Sequence, residues 1–542
     1  MSTPTDEPPQ NADPTRTDSR APVRRAPRGP LVGVAAIVIV ALVAALLVWL
    51  ARPDPSARPD PSGGPDSSAR PDPSARPDPS GGPAQTTSTS PQDQSTTDDP
   101  AYDTALSEPR EDSVYPSVGD PSVDALHYSL NLTWAPEQRR LIGVERVVLR
   151  TPLTGPSFQL DLAEQLQVTR LSVDGKATPY THTGKDLIVE HPVVADQRLV
   201  LQVEYAGSPQ PVQAPVHRSD FSTIGWQVSE DGGTWTMQEP FGAYTWYAVN
   251  DQPADKALYD FTLTAPAPFL GVANGELLAS TQTQGTTVQR WRLADPAASY
   301  LITVAFDRFA RTDGKTRSGV PVTWWTPPED KRALGDLKAI LPAMDWAEQR
   351  LGPYPWPSLG LMMVDSDSAM ETQSLLTLGD NDYIRSEPVL LHELIHQWYG
   401  DLVTPNDWRD VWLNEGMTMY LEMVFRFEKD PRNLGVAMQR WRTGDRSMRR
   451  TEGPPGDYAP DSFGSANVYY LPGLMWHRVR RIVGEKDFWA IVRAWPQAHA
   501  RGNVDREDLF AFVSSHTDQA PKGGWPHFFH AWIEGRATPP MR

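Results

Sequence analysis

Hydrophobic and polar positions fall into five regimes along the chain. Residues 1–29 are polar and proline-rich, with no apolar periodicity, and predict a disordered tail. Leu31 to Ala51 is then an uncharged run of 21 residues, LVGVAAIVIVALVAALLVWLA. A helix of that length, rising about 1.5 Å per residue, crosses a hydrocarbon core about 30 Å thick. A cleaved signal peptide has an apolar region of only about 7–15 residues and a small-residue cleavage site behind it. Here the run ends in Trp49 and Leu50 and leads into a proline-rich repeat. The pattern therefore predicts a transmembrane helix over residues 30–51.

The third regime, 52–113, has almost no apolar residues. ARPDPSARPDPSGGP begins at Ala51 and again at Ala69, an 18-residue repeat whose prolines favour extended conformations. A Ser/Thr/Gln/Asp-rich stretch follows, and the whole reads as a disordered spacer. In the fourth regime apolar positions alternate in short segments: HYSLNLTW from His127, ERVVLR from Glu145, LVLQVEYAG from Leu199 and YDFTLTAP from Tyr259. These predict strands, and residues 114–317 read as a β-sandwich-like domain. Beyond it the period lengthens. DKRALGDLKAILPAMDWAEQRLG from Asp330 and DVWLNEGMTMYLEMVFRFEK from Asp410 are helical in spacing, so 318–542 is expected to be a mainly helical domain. The fold class is multidomain α+β.

Charge refines this picture. Arg16, Arg20, Arg24, Arg25 and Arg28 precede the apolar run, whereas Arg52 and Arg58 follow it in a comparable stretch. The asymmetry puts the N-terminus in the cytoplasm and the C-terminal body outside the cell, a single-pass cell-membrane protein with the lipid bilayer as partner. The net charge of −18 argues against nucleic-acid binding, because phosphates would be repelled. The chain has no cysteine, which excludes thiolate metal sites and disulfides.

The chemistry concentrates in HELIH. His392 and His396 stand at i and i+4, one turn apart on one helix face, as two imidazoles sharing a metal require. Glu393 lies beside them, placed to act as general base on water. A further glycine and histidine downstream, which one branch of such enzymes needs, are replaced by Tyr399 and Leu402. Glu415, in WLNEG, lies on the next predicted helix and can supply a third, carboxylate ligand. Two histidines and one glutamate leave a fourth tetrahedral position open, the mark of a catalytic Zn2+ site holding one ion.

HELIHQWYGDLVT followed by WLNEG resembles the aminopeptidase N family of zinc metallopeptidases, gluzincins with eighteen residues between the second histidine and the glutamate. EPFGAYTWYAVNDQPADKA from Glu239, WRLADPAASYLITVAF from Trp291 and LGPYPWP from Leu351 are also similar to it. The resemblance covers about residues 120–542 and is to a membrane-anchored, bacterial-type member without the family's C-terminal helical-repeat domain. It implies a thermolysin-like catalytic domain and an aminopeptidase that removes residues from peptides with a free N-terminus. It further implies that Glu239 and Glu371 hold the substrate α-ammonium and that Tyr470, in VYYLPG, stabilises the oxyanion, with Tyr469 one residue away. Asp410 is a weaker candidate for supporting the metal ligands from outside. Ser368, Thr372 and Pro472 stand where the family usually has glycine, asparagine and lysine. A zinc endopeptidase or other zinc hydrolase on the same fold, and a catalytically silent binding ectodomain, remain the alternatives.

Overall fold

The computed structural model describes residues 97–540. The expected tail (1–29), transmembrane helix (30–51) and most of the linker lie outside the described residues. Among the described residues, no helix is long and apolar enough to cross a membrane.

The last part of the expected linker is not a spacer. Residues 100–105 form a 3-10 helix whose Tyr102 and Ala105 pack with Leu126, Val148 and Leu258. The Ser107 amide donates to Asp124 Oδ1 at 3.1 Å, and Asp112, 3 % exposed, accepts from the amide of Trp408 at 2.7 Å. Polar composition suggested disorder here, but these polar groups find distant partners and the strap is ordered well before 113.

Alternation becomes sheet as expected. In Gln197–Gly207, Leu199, Leu201, Val203 and Tyr205 point inward at 1 % exposure or less while the residues between them are partly exposed. An eight-stranded sheet runs Glu276–Thr283, Thr286–Ala298, Lys256–Pro266, Asp124–Ala135, Arg140–Thr151, Gln197–Gly207, Leu166–Val173 and Lys176–Ala177. Asp124–Ala135 pairs in parallel with Lys256–Pro266 and antiparallel with Arg140–Thr151. A five-stranded sheet (Leu270–Ala273, Val304–Asp307, Thr234–Met237, Thr223–Val228, Val212–Gln213) packs over it. Trp134 of the first sheet meets Trp226 of the second, ring centroids 5.4 Å apart.

A third, mixed sheet starts the catalytic half: Ala310–Lys315, Pro321–Thr326, Leu359–Val364, Leu375–Gly379 and, at its edge, Ala369–Met370. Residue 317, the expected boundary, lies in the turn of its first hairpin, so this sheet already begins at Ala310. Helices α1 (Lys331–Leu337) and α2 (Ile340–Leu351) come from what read as one helix. Pro342 sits in the first turn of α2, where its missing N–H is tolerated, and it cannot continue the helix before it. The remaining helices are α3 (Glu387–His396), α4 (Trp412–Arg426), α5 (Pro431–Thr451), α6 (Ala466–Ala498, broken at Gly484), α7 (Arg506–Ser515) and α8 (Gly524–Ile533). Both halves belong to one compact unit. The fold is α+β, with a sheet-rich N-terminal part and a helical catalytic part.

Candidate active site

α3 carries HELIH as its last turn, and α4 crosses beside it carrying Glu415. Glu415 Oε2 lies 3.6 Å from His392 Nε2 and 3.5 Å from His396 Nε2. The three ligand atoms lie within 4.8 Å of one another. With metal–ligand bonds of about 2.0–2.2 Å, neighbouring corners of a tetrahedron are about 3.4 Å apart, so the spacing fits zinc. Glu415 Oε2 is also buried without a hydrogen-bond partner, as a ligand oxygen would be.

Both rings are locked in the ligating tautomer. His396 Nδ1 lies 3.0 Å from the Tyr399 carbonyl, which can only accept, so Nδ1 carries the proton and Nε2 offers its lone pair. His392 Nδ1 lies 3.1 Å from Glu422 Oε2, with the same effect. Glu422 went unnoticed in the sequence, although it stands seven residues after Glu415 and so on the same face of α4.

Around this trio the structure gathers acids from three parts of the chain. Glu239, Glu371 and Glu415 have carboxylate oxygens within 4.8 Å of one another, all buried. Glu239 follows the strand Thr234–Met237, and the turn after it is pinned by Asp251, whose Oδ2 accepts from the Gly242 amide at 2.8 Å. Gly242 has φ 127°, a conformation that favours glycine. Glu371 follows the edge strand Ala369–Met370, and its carbonyl accepts from Gln397 Nε2 at 2.9 Å. Gln397 also takes the Ser374 amide on its Oε1 at 2.8 Å, so one side chain ties the end of α3 to the Glu371 segment. The Thr372 hydroxyl closes that turn onto the Leu375 carbonyl.

Burial and the neighbouring Glu371 carboxylate push the Glu239 carboxyl well above its usual range. Burial also raises Glu371, with Glu415 adding to it against His396. Glu393, 7 % exposed, is raised by burial to about 7 against the pull of His392. Burial would raise Glu415 too, but His396 and His392 outweigh it and hold that carboxyl at about 2. Crowded, dehydrated carboxyls of this kind are stabilised by a cation arriving among them.

The phenol at the site belongs to Tyr469. Its ring centroid lies 6.4 Å from that of His392, and its hydroxyl takes a hydrogen bond from Arg218 Nη1 at 3.3 Å. Tyr470, the expected oxyanion donor, instead stacks on Trp441 with centroids 4.9 Å apart. One residue on a helix is a rotation of about 100°, which turns Tyr470 to a different face. The expectation therefore moves to Tyr469. Asp410 is corrected as well: it accepts from Trp412 Nε1 at 2.9 Å and pairs with Arg506 at 2.7 Å, fastening α4 to α7. Arg218 carries no signal in the sequence.

Comparison with known proteins agrees with this geometry. Residues 336–523 match the Peptidase family M1 domain. Among curated relatives, aminopeptidase N of Haemonchus contortus is 26% identical over 262 residues, 44% of this chain and 26% of that protein. Glutamyl aminopeptidase of Sus scrofa is 26% identical over 385 residues, 61% of this chain and 39% of that protein. The chain thus spans well under half the length of these relatives. Among solved structures, a variant of an M1 zinc metallopeptidase from Deinococcus radiodurans bound to a Tyr-Ser-Ala substrate superposes with a TM-score of 0.68 at 24% identity, covering 79% of this chain and 98% of that one. Legionella pneumophila aminopeptidase A in complex with aspartic acid gives 0.64 at 21% identity, covering 76% and 49%. Matched domain, relatives and fold agree: residues 336–523 match the Peptidase family M1 domain, and the chain is similar to aminopeptidases and to M1 zinc metallopeptidases.

Proposed function

We propose that the chain is a zinc-dependent aminopeptidase, hydrolysing N-terminal residues from peptides, with one Zn2+ held by His392, His396 and Glu415. The observation that carries this reading is the buried cluster of Glu239 and Glu371 against Glu415. Two carboxylates beside a metal trio are the natural partners of a free α-ammonium, and they fix the N-terminal residue so that the first peptide bond reaches the metal.

When bound, zinc polarises the scissile carbonyl and makes water acidic enough to attack near neutral pH. Glu393 accepts the proton from the attacking water and returns it to the leaving nitrogen. Tyr469 donates its hydroxyl hydrogen to the oxyanion that develops on the carbonyl carbon's oxygen. Glu239 and Glu371 keep the substrate amine in register, and Glu422 and the Tyr399 carbonyl hold the two imidazoles in orientation.

The test is a panel of aminoacyl-anilides and short peptides, each with a free and an acetylated N-terminus, run with and without chelator. Turnover confined to free N-termini and abolished by chelation supports an aminopeptidase. Equal cleavage of acetylated peptides supports an endopeptidase instead, and no turnover with zinc bound supports a silent ectodomain. Glu239→Gln and Glu371→Gln should each lower kcat/KM on free N-termini by about 10–100-fold, the loss of one charge-assisted contact.

Placement is proposed on different grounds. The 21-residue apolar run and the five arginines ahead of it support a single-pass anchor at 30–51 with the catalytic body outside the cell. Protease added to intact cells should then digest the C-terminal body; full protection until lysis overturns the placement.

A further inference from the structure

The five-stranded sheet sends one loop, residues 214–222, across to the catalytic half. Its Pro215 carbonyl accepts from the Phe463 amide at 3.1 Å, and His217 Nε2 comes within 4.0 Å of Asp461 Oδ2. Arg218 at the middle of this loop reaches the mouth of the site with its side chain 39% exposed. Nη1 donates to the Tyr469 hydroxyl oxygen at 3.3 Å, while Nε and Nη2 engage Asp220 at 3.3 and 2.6 Å.

A phenol oxygen that accepts a hydrogen bond from a guanidinium has that side of the oxygen occupied, so its own O–H must point elsewhere. The Tyr469 ring lies beside that of His392, their centroids 6.4 Å apart. The guanidinium is in turn fixed by a two-point grip on Asp220, which leaves it little rotamer freedom. We propose that Arg218 is a positioning residue that aims the Tyr469 hydroxyl into the site, itself aimed by Asp220.

The inference rests on Tyr469 as oxyanion donor, and the two can fail separately. Four forms of the full chain in detergent are compared on one aminoacyl-anilide: Arg218→Gln, Tyr469→Phe, the double variant and the parent, with zinc content and Tm measured for each. Tyr469→Phe is expected to lower kcat about 100-fold, as loss of an oxyanion donor does. Arg218→Gln is expected to lower kcat about 10-fold with KM within about twofold, and the double variant to fall no lower than Tyr469→Phe alone. Asp220→Asn should cost about threefold in kcat in the parent and nothing when Tyr469 is already Phe, and it serves if Arg218→Gln does not fold.

Losses that multiply in the double variant overturn the positioning role, because they mean that Arg218 acts without Tyr469. A raised KM at unchanged kcat in Arg218→Gln also overturns it, since that marks a substrate contact. Full activity of Tyr469→Phe overturns the reading of Tyr469 itself. An impaired Tyr469→Phe beside a fully active Arg218→Gln overturns only the inference about Arg218.

Discussion

His392 Nδ1 lies 3.1 Å from Oε2 of Glu422, a carboxylate two helical turns beyond Glu415 on the same helix. One face of α4 therefore presents both the proposed ligand Glu415 and the group that orients His392. Removing such an outer partner typically costs about 10–100-fold in metal affinity. Glu422→Ala should weaken zinc binding by about that factor, and Glu422→Gln, which keeps an acceptor oxygen, by less. Competition with a chelator measures this; unchanged affinity in Glu422→Ala would mean that the contact orients nothing.

Glu393 is buried beside the histidines without ligating with them, so its contribution separates from metal binding. Glu393→Gln keeps the shape and loses the base. The expected result is a fall in kcat of about 10²–10⁴-fold with zinc content unchanged by elemental analysis. Activity within threefold of the parent would remove Glu393 from the proton path.

Gly416 follows the ligand Glu415 and faces α6. A Cβ built there would stand 2.5 Å from Pro472 Cβ and 2.6 Å from its Cγ. Pro472 is thus the residue against which α4 leans. Gly416→Ala has to push the two helices apart, and overpacking of this kind costs about 1–3 kcal/mol. Glu415 moves with α4, so both Tm and zinc affinity should drop. A drop in Tm alone would show that the ligand is insulated from the helix contact.

Away from the site, Asp260 offers a pH test. Burial would raise its carboxyl, but hydrogen bonds from His127 and Arg292 outweigh burial and bring it from 3.8 to about 2. A depressed acid stabilises the fold fully above its unfolded value, and that contribution disappears as pH falls through the folded value. Asp260→Asn should therefore cost about 1–2 kcal/mol at pH 7, allowing for its partial exposure, and the gap should narrow from about pH 4 toward pH 2. Urea unfolding midpoints at pH 7 and pH 3 check it; a gap independent of pH would assign the loss to packing.

What could be read without coordinates was whatever local spacing determines. His392, His396 and Glu393 sit within one helical turn, so their common face follows from the period alone. Glu239 was reached only through resemblance, because it comes to Glu371 and Glu415 through tertiary contacts that no periodicity encodes. Tyr469 and Tyr470 were distinguishable only by the phase of α6, which Pro472 and the packing on Trp441 set. Arg218 and the ordered strap from residue 97 left no trace because their partners, Tyr469 and Trp408, are hundreds of residues away. The hairpin straddling residue 317 escaped for a similar reason: a change of period marks where helices start, not which sheet a strand joins.

The strap has a mechanical consequence. Lys256 donates its amide to Ser107 Oγ at 3.0 Å and Gln252 Oε1 takes the Arg110 amide at 3.0 Å, both in the β-rich half. A few residues on, Asp407 accepts from the Ser113 amide and hydroxyl at 2.9 and 2.8 Å, and the Tyr115 hydroxyl donates to the Pro460 carbonyl at 2.8 Å, all in the catalytic half. Tension applied to the chain ahead of this segment is shared among bonds loaded together across the seam, instead of opening one domain from its end. A pull on residues 97–106 would then reach both halves together, without prising Glu239 of one away from Glu371 of the other.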